Sequence, residues 1–129
     1  MLTIKESGRG PKLTVKKSIF ICTIFRINNI EEAKNLVDKT KNEFKKASHN
    51  AYAYRIGNPI NWEESSDDGE VKGCAGLPIM NILKKKNLTN VLVIVTRFYG
   101  GINLGIGGLT RSYSKCAANL INVIGTIEI

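Results

Sequence analysis

Residues 91 to 121 read VLVIVTRFYGGINLGIGGLTRSYSKCAANLI, and no other stretch limits the fold so tightly. In the stretch Asn90 to Val95, every position from Val91 onward is apolar, so both faces of the strand it forms need cover, which makes it a central strand. Five glycines then fall within the nine residues from Gly100 to Gly108. Beyond them Leu109, Tyr113, Cys116, Ala117, Leu120 and Ile124 recur at helical spacing. This spacing predicts a helix from about Gly108 to Ile124, stopped by Gly125. Two readings of the glycines are open: they let the helix cross close over the strand, or they expose its first N–H groups to an anion.

No named nucleotide motif accounts for them. Gly105 follows Gly100 at the distance of a Walker loop, but Ile106 and Gly107 stand where a lysine and a hydroxyl residue belong. Gly105-Ile106-Gly107 also lacks the third glycine of a dinucleotide fingerprint. What the stretch offers is cations. Arg97 precedes the glycines, and Arg111 and Lys115 lie one helical turn apart, three side chains able to converge on a phosphate backbone.

The rest of the chain is read in the same way. Leu13 to Ile27 is β-rich but long for one strand, and Lys16-Lys17-Ser18 is a plausible turn, so a hairpin is expected. Residues 28 to 47 predict a first helix, with Asn29 as cap, Glu32 three residues on, and a buried stripe through Ala33, Val37 and Phe44. Asn50 to Ile56 alternates as a strand, and residues 57 to 76 read as a long polar loop. Pro78 opens a second helix that ends in Lys84, Lys85 and Lys86, and the terminal TIEI adds a short strand. Residues 1 to 12 are expected as a flexible N-terminal segment and 13 to 129 as one domain. The order β-β-α-β-α-β-α predicts an α+β two-layer sandwich, a mostly antiparallel sheet with helices on one face.

The formal net charge of +8 favours a polyanionic partner. Five of the 11 acids, Glu63, Glu64, Asp67, Asp68 and Glu70, sit in one short segment, so the picture is a basic body with one acidic loop. Three cysteines, Cys22, Cys74 and Cys116, match no zinc spacing and read as reduced, buried thiols. No apolar run reaches a membrane-spanning length and no signal peptide is recognisable, so a soluble, cytoplasmic protein is expected, with no membrane partner.

Chemistry has few candidates. Asp67, Asp68 and Glu70 are hard oxygen ligands able to hold magnesium, although their spacing is not that of an EF-hand. The plainer reading has Asp67 or Asp68 cap a turn at Gly69. His49, the single histidine, is a candidate general base that needs a partner such as Asp68; a helix C-terminal histidine is the commoner explanation. Cys74, between Gly73 and Gly76, is a candidate accessible thiol without an assigned base.

Taken together, HNAYAYRI, SDDGE, GCAGLPIMNIL and LTNVLVIVTRFYGGINLGIGGLTRSY closely resemble the Impact family, called YigZ in bacteria, in its N-terminal domain. The likeness runs from about Lys16 to Ile124. It implies the fold of the second domain of small-subunit ribosomal protein S-five and of domain IV of elongation factor G, with an unusual left-handed crossover. It also implies a site surface centred on His49, Ser66, Asp67, Asp68, Gly69, Glu70, Arg97, Gly100, Gly101, Gly107 and Gly108. Cys74, Leu77 and Ile106 depart from the family pattern, which usually has a hydroxyl residue, a basic residue and often threonine there.

Eukaryotic members inhibit the amino-acid-starvation kinase by competing for its activator, with much of that binding made by an additional N-terminal module. Bacterial members carry a ferredoxin-like C-terminal domain, which is expected to be absent here. The resemblance and the charge together favour a translation-linked regulatory binding protein that docks on RNA, the ribosome or a ribosome-associated regulator of the starvation response. Its binding surface would join Arg97, Arg111, Lys115 and the glycines to the 66–69 segment. The alternatives are a hydrolase-type enzyme using His49, Asp67, Asp68 and a cation, or a pure protein-interaction module with SDDGE as its recognition loop.

Overall fold

The computed structural model describes all 129 residues. Its centre is the strand β7, Val91–Phe98, buried from Val91 through Arg97 as its unbroken apolar run requires. It pairs antiparallel with β4, Ser18–Arg26, on one side and with β5, His49–Ile56, on the other. The sheet is extended beyond β5 by β6, Trp62–Ser66, and beyond β4 by β2, Gly8–Arg9, and β3, Leu13–Val15. The hairpin of β3 and β4 turns on Lys16 and Lys17, both at positive φ, as a two-residue hairpin turn demands.

Three helices cover the sheet. They are α1, Ile30–Glu43, α2, Gly76–Lys85, and α3, Gly105–Ile124. The α1 start is the expected one: Asn29 Oδ1 accepts from the Glu32 N–H at 2.8 Å, and Glu32 Oε1 accepts from the Asn28 N–H at 2.8 Å. Side-chain alternation decides which helix meets which face. Phe20, Cys22, Ile24, Ala51, Ala53, Val93 and Val95 face α2 and α3 in the larger core. Phe25, Ile27, Tyr52, Tyr54, Leu92 and Ile94 face α1 in a smaller one.

Two expectations are corrected here. The α+β antiparallel architecture stands, but the helices do not share one face: α1 occupies the side opposite α2 and α3, because the central strands are apolar on both sides. Residues 1 to 12 are not a loose segment. Leu2–Ile4 forms β1, paired antiparallel with β8, Thr126–Glu128, and Thr3 and Ile4 are buried. The partner strand stands at the far end of the chain, where no local pattern announces it.

The topology also fixes a question of hand. The β4–α1–β5 and β6–α2–β7 connections each join parallel strands across one intervening strand, in the order β4-β7-β5-β6. Their helices lie on opposite faces and their strands run in opposite senses while the steps along the sheet are opposed. Rotating one onto the other shows that the two crossovers have opposite hands, so one of them is left-handed, against the strong general preference.

Candidate functional site

Arg97 and His49 sit directly opposite each other in the β5–β7 ladder, on the face that carries α2 and α3. Beneath the first turns of α3 they meet Glu70, which reaches in from the acidic segment and is only 8% exposed. Glu70 Oε2 accepts from Arg97 Nη1 at 2.8 Å and from the Tyr113 hydroxyl of α3 at 2.7 Å. His49 Nε2 lies 3.5 Å from Glu70 Oε1. The other ring nitrogen, Nδ1, is 3.0 Å from the Asp68 carbonyl, which can only accept, so Nδ1 carries the proton. Burial works against the charge on Glu70, but Tyr113, Arg97 and His49 together hold its carboxyl below the ordinary range. Burial first, and then the adjacent carboxylate, push the Tyr113 hydroxyl upward.

Arg97 is buried as well. Its Nη2 donates to Ser18 Oγ at 3.2 Å, and the same oxygen accepts from the Gly100 N–H at 3.1 Å. The guanidinium lies 5.6 Å from the Phe20 ring centroid and 5.4 Å from that of Tyr99, while Nε has no hydrogen-bond partner. The arginine read from sequence as a phosphate ligand is therefore committed to an internal network. Gly100 answers the packing half of the glycine question: a Cβ there would fall 2.1 Å from the Lys17 carbonyl carbon.

The acidic segment is built around its own backbone. Asp67 Oδ1 accepts from the N–H groups of Ala75 and Gly76 at 3.2 and 2.9 Å, and its Oδ2 from that of Gly73 at 2.9 Å. Asp67 thus caps the start of α2 from a distance, where no local side chain does. Burial disfavours its charge, yet these backbone donors keep its pKa below the ordinary aspartate value. Asp68 Oδ2 accepts from the Asn50 N–H at 2.7 Å, and Lys41 Nζ is 3.2 Å from Oδ1. Ser66 Oγ accepts from the Asp68 N–H at 3.1 Å, and Asp68 and Gly69 both take positive φ in the turn.

The possible magnesium ligands Asp67, Asp68 and Glu70 are not brought together as a cation cage. Each is turned toward different donors, because three backbone N–H groups, a strand N–H and a buried guanidinium claim them separately. Nor is Cys74 an accessible thiol: it is 3% exposed, and Cys22 and Cys116 are buried with it.

Above the network lies an open cleft of about 500 Å³, lined by His49, Glu70, Val71, Arg97, Tyr99 and the start of α3 at Leu104, Gly105 and Ile106. Of the acidic run only Glu70 lines this cleft, and of the glycines only Gly105; Ser66, Asp67, Asp68, Gly69, Gly100, Gly101, Gly107 and Gly108 are not among its lining residues. Gly101 is an exposed turn residue at its approach, and Gly107 and Gly108 lie in the first turn of α3. Arg111 and Lys115 are exposed further along that helix and are not among the cleft residues, so the three-cation convergence with Arg97 does not occur. A separate cavity of about 560 Å³ lies between residues 9 to 13 and α3, lined partly by Cys22, Cys116 and Leu120, and holds none of these groups.

Sequence reasoning missed Ser18 and Tyr113 as site residues. Tyr113 was visible only as part of the buried stripe of α3, although a buried tyrosine hydroxyl needs a partner and so signals a polar neighbour.

With this geometry in place, comparison with known proteins decides the affiliation. The family model of the Impact N-terminal domain matches residues 16–121. The chain belongs to the IMPACT family. It is 40% identical to IMPACT family member YvyE of Bacillus subtilis (strain 168) over 98% of this chain and 58% of that protein. Against IMPACT family member YigZ of Escherichia coli (strain K12) the identity is 37% over 77% of this chain and 50% of the relative. Protein IMPACT of Rattus norvegicus is 33% identical over 88% of the chain and 37% of its own length. The chain thus spans about half the length of the curated relatives it matches. Among solved structures, a crystal structure of a hypothetical protein superposes with a TM-score of 0.90 at 30% identity, covering 98% of this chain and 62% of the other. The two-domain translational regulator Yih1 matches at 0.64 and 24% identity, over 94% and 48%, a likeness of fold.

Proposed function

We propose that this IMPACT-family domain is a translation-linked regulatory protein that works by docking, through the cleft face, on RNA, the ribosome or a ribosome-associated regulator of the starvation response. The observation that carries the binding part is the mutual neutralisation of Glu70 by Arg97 and Tyr113 under an open cleft. A carboxylate held by two such donors is a poor base, and Cys74 is shut away in the core, which leaves the His49 ring, tied to the Asp68 carbonyl and beside Glu70, as the only general-base candidate in the cleft and supports binding over catalysis. The link to translation rests on the family: Yih1 is described as a translational regulator, and the resemblance of the sequence motifs implies a role in the starvation response. The net charge of +8 supports attraction to an anionic particle.

The test is co-sedimentation of the purified chain with ribosomal fractions across a salt series, with and without nuclease. The reading expects association that weakens with salt. A direct RNA contact adds a log–log slope of roughly −0.7 for each phosphate neutralised on a single strand. Absence of co-sedimentation at every salt concentration overturns the reading, while nuclease-resistant association assigns the partner to protein.

A further inference from the structure

The walls of the cleft do not look like those of a nucleic-acid groove. Val71, Tyr99 and Ile106 line it, and they are 49%, 49% and 70% exposed. Leu77 and Ile102, the first on α2 beside the acidic segment and the second in the glycine loop, are exposed as well. Large apolar side chains left open around one concave site mark a contact surface rather than ordinary scatter. Tyr99 is the one Phe, Tyr or Trp among the lining residues, and the His49 ring is held between Asp68 and Glu70, so successive bases have no stacking platform.

The charge at the rim has one sign. No aspartate or glutamate occurs between Glu70 and Glu128, the part of the chain that supplies α2, β7, the glycine loop and α3. The one acid that lines the cleft, Glu70, is occupied, buried against Arg97, and the neighbouring Asp67 carboxylate is turned away onto backbone donors. Three cations next to lining residues or to the glycine loop, though not themselves in the lining, have no such partner. Lys72 follows Val71 and is exposed. Lys17 is exposed where its backbone touches Gly100. The Arg111 guanidinium lies beside Gly107, with Nη1 3.0 Å from where a Cβ would stand, one residue from Ile106. None of these three is in a salt bridge. The first turn of α3 adds free N–H groups with neither a side-chain cap nor an acidic residue to answer them.

We propose that the cleft is the docking site for an acidic protein segment carrying a bulky apolar side chain. The apolar group fills the space between Val71, Tyr99 and Ile106 over the Glu70–Arg97 floor. Flanking carboxylates meet Lys17, Lys72, Arg111 and the start of α3. Charge complementarity selects the acidic flanks and the apolar walls select the anchor, the usual division between a hydrophobic hot spot and its polar rim. This inference rests on the docking reading above and narrows its partner to protein.

Fluorescence anisotropy with three synthetic peptides tests it: leucine flanked by glutamates, leucine flanked by lysines, and serine flanked by glutamates. The first should bind, weaken as salt rises, and lose about tenfold or more in affinity on Ile106→Glu, as removal of a central anchor does. Ile106→Glu is a safe change for the fold, because the residue is exposed in the first turn of a helix, where a carboxylate is favoured. Arg111→Glu should weaken the glutamate-flanked leucine peptide and strengthen the lysine-flanked one. Binding of the serine peptide as tightly as the leucine peptide, or binding indifferent to Ile106→Glu, overturns the proposal. So does failure of all three peptides when the same preparation co-sediments with ribosomes, an outcome that leaves the docking reading intact. Nuclease-sensitive co-sedimentation that Ile106→Glu does not alter replaces the acidic segment with RNA.

Discussion

Glu70 and Arg97 stand 27 residues apart in the chain and 2.8 Å apart in space, with side chains 4% and 5% exposed. One comes from a polar surface segment and the other from the central strand, so their pairing fastens the acidic loop to the sheet. A buried ion pair is weak evidence of net stability, but removing one partner strands the other. Arg97→Met should therefore cost about 3–5 kcal/mol of unfolding free energy. The double variant Glu70→Leu with Arg97→Met should recover a large part of that loss. Urea denaturation of the single and double variants measures both. A single variant that unfolds at the wild-type midpoint would show that the pair carries no structural weight.

Acid should open the same fastening. The Glu70 carboxyl is held below the ordinary glutamate value of 4.5, and that of Asp67 below the ordinary 3.8. A depressed folded-state pKa gives stability that is complete above the unfolded value and is lost as pH falls through the folded one. Melting temperature should thus hold from neutral pH down to about the ordinary glutamate value and fall below it. Glu70→Gln should be less stable at neutral pH and show a shallower acid decline. An equally steep decline in Glu70→Gln would assign the acid sensitivity to other carboxylates.

What the sequence shows of this arrangement follows from how local each signal is. The central strand, the three helices and the Lys16–Lys17 turn are written in contiguous periodicity and caps, although α1 stops at Glu43 instead of running to residue 47 and α3 starts at Gly105, ahead of Gly108. The strand β6 was hidden because an exposed edge strand reading WEESS carries no apolar alternation. The pairing of β1 with β8 was hidden because it joins the two ends of the chain. The same logic governs the site. The expected joining of acidic segment and glycine junction reduces in the cleft to Glu70 and Gly105, and the destination of Arg97 was not legible. A surface phosphate ligand and a buried partner of Glu70 have the same one-letter code, and only the ladder register, which sets Arg97 under α3, separates them.

Asp67 shows how far a single carboxylate can organise a loop. It receives the N–H groups of Gly73, Ala75 and Gly76, two of them at the start of α2. Asp67→Ala removes all three acceptances and exposes an uncapped helix start, and should cost about 1–2 kcal/mol. Amide hydrogen exchange offers the sharper readout. Protection should fall at Gly73, Ala75 and Gly76 while the β7 amides stay slow. Uniform loss of protection across the sheet would instead mean that the segment is integral to global folding.

The glycines of residues 100 to 108 serve unequal purposes, and two substitutions separate them. At Gly100 an added Cβ would lie 2.1 Å from the Lys17 carbonyl carbon and 2.5 Å from the Ser18 nitrogen, both backbone atoms of the β3–β4 turn. Neither can yield without moving the turn, and the Gly100 N–H bond to Ser18 Oγ would move with it. Gly100→Ala should cost about 1–3 kcal/mol, the range for overpacking, and should disturb the Arg97 contact with the same Ser18 oxygen. At Gly107 the nearest atom to an added Cβ is Arg111 Nη1 at 3.0 Å, the far end of a flexible side chain, and the residue is already helical. Alanine there should be neutral or stabilising by up to about 1 kcal/mol, because it removes the entropic penalty of a helical glycine. Thermal melts of the two variants should move in different directions. If Gly107→Ala destabilised as much as Gly100→Ala, the first turn of α3 would be under a packing constraint rather than open at the cleft.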